Sequence, residues 1–175
     1  MRENREIVLS EQEIQNICND FGKKLSKELE NEEKTPLFLG VMKGALNFMF
    51  DLIKRIDRPI FTDFIQISSY AGVQSTGRIN LKKDFDMDIK DRTVVVVEDV
   101  VDTGLTIHQL KQYLLEQGAS SVRVAAMLCK PDKLQYADAE PDYVALCITN
   151  EFVIGYGLDL DGFHRNLDAI YKLKD

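Results

Sequence analysis

Cysteine, histidine and basic charge are all scarce in this chain, and each scarcity removes a class of function. Three cysteines, Cys18, Cys129 and Cys147, are scattered without CxxC spacing. The latter two fall in apolar, strand-like runs, so they read as reduced core thiols, with no disulfide framework. The two histidines, His108 and His164, have no second His or Cys at ligand spacing, which disfavours transition-metal chemistry. Lys and Arg number 22 against 29 Asp and Glu, and a net charge of -7 without any basic segment argues against nonspecific nucleic-acid binding. Any phosphate must therefore be held by a local arrangement. No apolar run approaches the length needed to span a bilayer. The opening residues, MRENREIVLS, lack the apolar core of a secretory signal, so a cytoplasmic protein without membrane or nucleic-acid partners is expected.

What is present fits a soluble globular protein: 45% hydrophobic and 29% charged residues in 175, the length of one ordinary domain, expected to span residues 1–175. Ser10 and Glu13 are spaced as a capping box, and Ile14, Ile17, Cys18, Phe21, Leu25 and Leu29 form a helical apolar stripe. A polar run and Pro36 separate that helix from PLFLGVM, a buried-strand pattern followed by the helical KGALNFMFDLIKRI. IFTDFIQISSY reads as a strand, AGVQSTGR as a glycine-containing loop, INLKKD as a return strand, and VRVAAML and YVALCIT as two more strands. Strands alternating with helices predict an α/β fold with a doubly wound, mostly parallel sheet, whose ligand site lies at the carboxyl edge.

The most informative stretch is residues 93–106, TVVVVEDVVDTGLT. Four consecutive valines are too uniformly apolar for a half-exposed strand and predict the buried central strand of a parallel sheet. Leu105, Leu110, Tyr113 and Leu114 then give helical spacing that Gly118 can end. Thr103, Gly104, Leu105 and Thr106 thus form a strand-to-helix turn, a cradle for a phosphate monoester at the positive end of a helix. Alternation along the strand would send Glu98 and Asp99 to different sides, so that they cannot act as one bidentate clamp and should differ in role.

These residues resemble the phosphoribosyl-diphosphate signature of type I phosphoribosyltransferases, and Glu98-Asp99 with Asp102-Thr103-Gly104 is similar to the hypoxanthine-guanine branch. The resemblance runs from about residue 37 to residue 167 in several ordered segments. It implies the fold of that family, with a small hood beside the sheet. In GVMKG, at residues 40–44, it makes Lys43 and Gly44 part of a pyrophosphate loop and puts a cis peptide between Met42 and Lys43. Ser69 and Tyr70, with the polar loop to Arg78, resemble a lid that excludes water from an oxocarbenium-like transition state. Glu98 and Asp99 would serve the ribose hydroxyls and an associated Mg2+, and Asp102 would be the catalytic acceptor of the purine N7 proton. Lys130 is similar to the lysine that donates to a 6-oxopurine, Phe152 to the residue that stacks on the base, and Val153 to the one whose backbone orients it. Asp159 would assist a second Mg2+, and Arg165 would hold pyrophosphate. The chain departs from the commoner pattern at Leu160, where an aromatic residue often stands, and at Asn166, where an aspartate does.

The activity so implied is Mg2+-dependent transfer of a phosphoribosyl group from 5-phosphoribosyl 1-diphosphate to hypoxanthine or guanine, releasing pyrophosphate, by a homo-oligomer such as a dimer or tetramer. Two relatives of the fold remain as alternatives: a xanthine-guanine type enzyme, against which Glu98-Asp99 weighs, and a regulatory RNA-binding homologue, against which Asp102 and the acidic composition weigh. A metal-dependent phosphatase lacks support, because no Asp-x-Asp-Gly-Thr motif is present.

Overall fold

Five parallel strands and one antiparallel edge strand form the main sheet of this computed structural model, which describes residues 5–67 and 80–174. The chain opens with β1 (Arg5–Leu9) and α1 (Glu11–Glu28), followed by β2 (Leu37–Met42), α2 (Leu46–Ile53), β3 (Phe61–Ile67) and β4 (Leu81–Lys83). The second half contains β5 (Thr93–Val101), α3 (Leu105–Glu116), β6 (Ser121–Cys129), β7 (Tyr143–Cys147), β8 (Val153–Ile154) and β9 (Ile170–Leu173). Strand order is β4-β3-β2-β5-β6-β7, with only β4 antiparallel to its neighbour.

The valine run of β5 pairs with β2 on one side and β6 on the other, and Val94, Val95, Val96 and Val97 are all buried. This is the environment a β-branched run without polar alternation requires. Each face is closed by helices. Ile14, Cys18, Phe21 and Leu25 of α1, with Phe48, Met49 and Leu52 of α2, pack on the face bearing Val95 and Val97. Ile107, Leu110 and Leu114 of α3 cover the opposite face, bearing Val94 and Val96. The sheet is therefore doubly wound.

Two local features follow directly from sequence chemistry. The Ser10 Oγ accepts the Glu13 N–H at 3.3 Å while the Glu13 carboxylate accepts the Ser10 N–H at 2.8 Å, so the capping box forms and satisfies two donors at the start of α1. At the start of α3, Gly104 takes φ 80°, and a Cβ there would lie 2.7 Å from the Ala139 Cβ, so both backbone and space demand glycine.

A second sheet, ordered β1-β9-β8 and antiparallel, is the hood. Its pairing is long-range, with Arg5 opposite Leu173 and Val153 opposite Lys172. Leu9, Val153, Tyr156, Leu158 and Ile170 carry its inner side into the same apolar cluster as α1 and α2. That cluster fixes the hood against the carboxyl edge of the main sheet.

Candidate active site

Where β2, β3 and β5 end, a cavity of about 520 Å³ opens. It is lined by Lys43, Gly44, Glu98, Asp99, Asp102, Thr103, Gly104, Thr106, Asp159 and Arg165, together with Gln66 and Lys82, which the sequence reading did not single out. The peptide between Met42 and Lys43 is cis, as the resemblance implied. Leu105 opens α3 at the rim, and Val153 lies buried in the hood, while Phe152 is 55% exposed and faces open solvent. Ser69, Tyr70 and the loop to Arg78 lie outside the described residues.

Glu98 and Asp99 do not diverge as simple strand alternation predicts. Both line the cavity, and the Glu98 Oε1 accepts the Asp99 N–H at 3.1 Å. The cause is a slip in the alternation. Val95 and Val97 face α1 and α2, but the next residue on that face is Val100, and Val101 joins Val94 and Val96 on the α3 side. Neighbouring β6 slips at the same level, where Met127 and Leu128 both face α1 and α2. The slip places two consecutive acids at the carboxyl edge instead of one on each face.

This crowding has an electrostatic consequence. Glu98 is only 6% exposed, and its carboxyl is held well above the usual carboxylate range, by burial first and by the Asp99 carboxylate second. Asp99 is itself fixed, since its Oδ1 accepts the Val100 N–H at 2.7 Å and its side chain packs against Gly44. A buried carboxyl crowded by a half-buried one favours a cation beside the two. Among the described residues no three His, Cys, Asp or Glu side chains gather at ligand distance, so such a cation would draw most of its oxygens from substrate and water. That donor set fits Mg2+, a hard ion that keeps water and substrate oxygens.

Asp102 stands at the turn into α3, and each of its carboxylate oxygens faces a lysine. Lys130 Nζ lies 3.1 Å from Oδ2 and Lys133 Nζ 3.6 Å from Oδ1. Lys130 does not line the cavity wall itself but joins the site through this ion pair. Lys133 was missed in the sequence, because nothing there shows that Pro131–Lys133 forms a 3₁₀ turn returning the third residue to Asp102. The adjoining segment is clamped to α3 by the His108 ring, which stacks on Tyr136 and meets the Asp138 carboxylate at 2.8 Å. Across the cavity, Arg165 pairs with Asp159 at 2.5 Å and donates to the Gly157 carbonyl at 2.6 Å. Asp159 also accepts the Gly162 N–H at 2.7 Å.

A doubly wound sheet whose central strand ends in paired acids and a glycine turn opening a helix is the architecture of a sugar-phosphate-handling enzyme. Residues 6–161 match the model of the phosphoribosyl transferase domain, and the chain belongs to that family. It is 39% identical to the hypoxanthine-guanine phosphoribosyltransferase of Staphylococcus aureus over 171 residues, 97% of this chain and 94% of that protein. It is 41% identical to that of Streptococcus pneumoniae over 172 residues, 98% of this chain and 94% of that one. The fold superposes on a crystal structure of a hypoxanthine phosphoribosyltransferase from Staphylococcus aureus with a TM-score of 0.89, covering 97% of this chain and 91% of the other at 39% identity. A Trypanosoma cruzi hypoxanthine phosphoribosyl transferase gives 0.92 at 28% identity, covering 99% and 93%.

Proposed function

We infer that this protein, acting as a single catalytic domain, transfers the phosphoribosyl group of 5-phosphoribosyl 1-diphosphate to N9 of hypoxanthine and guanine, forming IMP and GMP with release of pyrophosphate, in purine salvage. The observation that carries the reading is the Asp102–Lys130 pair at 3.1 Å beside the turn into α3. A 6-oxopurine protonated at N7 presents an acceptor, O6, next to a donor, N7–H. A lysine beside a carboxylate is the complementary pair, because the ammonium can only donate and the carboxylate can only accept. Adenine offers an amino group in place of O6 and would leave Lys130 facing a donor, so it should be a poor substrate.

The remaining assignments follow the resemblance to the family, and Lys43, Gly44, Glu98, Asp99, Thr103, Gly104, Thr106, Asp159 and Arg165 among them line the cavity. N–H groups and hydroxyls of residues 103–106, including Thr103, Gly104, Leu105 and Thr106, would hold the 5′-phosphate, since the first turn of α3 has donors without helical partners. Glu98 and Asp99 would hold the ribose hydroxyls, and Lys43, Gly44 and Arg165 the pyrophosphate. Phe152 would stack on the base and the Val153 backbone would orient it, with Ser69 and Tyr70 belonging to a lid that excludes water. Bound at Glu98 and Asp99, and with a second ion near Asp159, Mg2+ would neutralise charge on the diphosphate. As N9 bonds to C1 of the ribose, the C1–O bond breaks toward pyrophosphate and Asp102 takes the N7 proton. When the base binds, before this step, Lys130 exchanges its contact with Asp102 for one with O6, while Lys133 stays beside the carboxylate.

A cytoplasmic homo-oligomer, dimer or tetramer, completes the reading. It is supported by free cysteines throughout and by exposed apolar side chains on α2, Leu46 and Phe50, 36% and 46% exposed. No helix among the described residues is long and apolar enough to cross a membrane. The test is nucleotide formation from 5-phosphoribosyl 1-diphosphate and Mg2+ with hypoxanthine, guanine, xanthine and adenine in parallel. Conversion of hypoxanthine and guanine is expected. Xanthine preference would move the protein to the xanthine-guanine type, and no turnover with any base would overturn the enzymatic reading.

A further inference from the structure

Cys129 and Cys147 are the last residues of β6 and β7, and the two are direct register partners in neighbouring parallel strands. The Ile148 N–H donates to the Cys129 carbonyl at 2.9 Å, which holds this register at the strand ends. Adjacent strands lie about 4.8 Å apart, and a disulfide accepts Cα separations of about 4.4–6.8 Å. Paired residues of a sheet also project to the same face. Exposure divides the two thiols: Cys129 is 2% exposed, whereas Cys147 is open to solvent. Burial first, and the Cys147 sulfur second, make the Cys129 thiol harder to ionise than a free cysteine, so an oxidant meets Cys147 first. The third cysteine, Cys18, is buried in α1 against Tyr156 and belongs to a different cluster.

We propose that Cys129 and Cys147 form a reversible disulfide that switches off the purine end of the active site, an inference that rests for its activity effect on the function proposed above. With a peroxide as oxidant, the Cys147 sulfur attacks the O–O bond, giving a sulfenic acid and water. The Cys129 sulfur then attacks the Cys147 sulfur. The S–O bond breaks, the oxygen leaves as water with the Cys129 proton, and the S–S bond forms. Two thiols have lost two electrons and one peroxide has gained them. A dithiol reductant reverses the link by exchange.

The position of the pair gives the link its consequence. Cys129 is followed directly by Lys130, whose ammonium holds Asp102 at 3.1 Å, and Cys147 leads within five residues to Phe152. Disulfides favour Cα separations of about 5.5–6 Å, so the bond spreads two strand ends that lie about 4.8 Å apart. Lys130 moves with its neighbour. Displacement of a positioning group by about 1 Å can cost on the order of a hundredfold in rate, so kcat/KM for the purine should fall at least about tenfold on oxidation.

The full chain is treated with hydrogen peroxide, alkylated and mapped by peptide mass spectrometry, with activity followed in parallel. Expected are a Cys129–Cys147 link with loss of two hydrogens, a drop of about tenfold or more in kcat/KM for hypoxanthine, recovery with dithiothreitol, and indifference of Cys147→Ser to the same treatment. Cys147 oxidised to sulfinic acid without a link, a link between chains, or a link that leaves kcat/KM unchanged would each overturn the proposal. Reduced protein without transferase activity would instead overturn the proposed function, and the mass measurement would still decide whether the link forms.

Discussion

Gly44→Ala should disable the site while leaving the fold standing, because Gly44 packs directly on a proposed metal and ribose ligand. A Cβ built at Gly44 falls 1.5 Å from Asp99 Oδ2 and 2.4 Å from its Cγ. Restoring a normal separation moves the carboxylate by roughly 2 Å, given contact distances near 3.5 Å. The loop cannot yield instead, since a Cβ at Gly157 would lie 1.9 Å from the Gly44 carbonyl oxygen, which shows how closely the two backbones approach. The displacement therefore falls on Asp99, which must also loosen its 2.7 Å contact with the Val100 N–H. A misplacement of about 1 Å can cost about a hundredfold, so kcat/KM for 5-phosphoribosyl 1-diphosphate should fall at least that far, about 2.7 kcal/mol of transition-state stabilisation. Overpacking would lower stability by about 1–3 kcal/mol, enough to shift a melting curve but not to unfold the chain. The cause is separable in a double-mutant cycle. With Asp99→Ala, the atoms that collide are gone and only the Asp99 Cβ remains, 3.2 Å away, so adding Gly44→Ala should cost little more. Steady-state kinetics on the four proteins decide it: wild-type kcat/KM in Gly44→Ala, or additive losses, would refute the argument.

Asp102→Asn should lower kcat by about 10²–10⁴-fold with an unchanged melting temperature, its side chain being 42% exposed and outside the core; near-normal turnover would remove Asp102 from the general-base role. Lys130→Met should lower kcat/KM for hypoxanthine by about 10- to 100-fold, the range of a hydrogen bond to a charged group, and narrow the preference over adenine, so an unchanged substrate ratio would count against it. For Glu98, the folded carboxyl titrates above its unfolded value, so its contribution to stability is present below the usual carboxylate range and is lost as pH rises through the raised folded value. Glu98→Gln carries no charge to bury and should melt higher than wild type at about pH 8, with the gap closing toward about pH 4. A gap independent of pH would show that burial of the charge is not the cause.

The main sheet was legible because its elements announce themselves locally. The valine run of β5, the stripe of α1 and the Ser10–Glu13 box each encode their structure within a few residues, and all three form as expected. The hood strands were not. β1 lies in a charged segment, β8 has two residues, and β1 and β9 meet across nearly the whole chain, with Arg5 opposite Leu173. No period within a window can reveal a pairing of that span. Lys133 was hidden for a related reason, since its place beside Asp102 depends on a 3₁₀ turn that Pro131 opens but that no side-chain pattern marks.

The two acids show how a correct local rule can give the wrong geometry. Alternation holds strictly only while the pleat is regular, and it predicts opposite faces for Glu98 and Asp99. In β5 and β6 the pleat slips together, between Val97 and Val100 on one strand and around Met127 and Leu128 on the next. Because both strands slip at one level, the register on either side is kept, with Val97 opposite Ala125 and Val101 opposite Cys129. The sheet thus remains paired while its last residues are re-aimed, and that re-aiming brings Glu98 and Asp99 into one cavity with Asp102 and the helix turn. It also puts Val101 and Cys129 on the α3 side. The slip that assembles the carboxylates therefore also sets the orientation of the cysteine preceding Lys130, and a valine-only run at these positions would build the same sheet without the site.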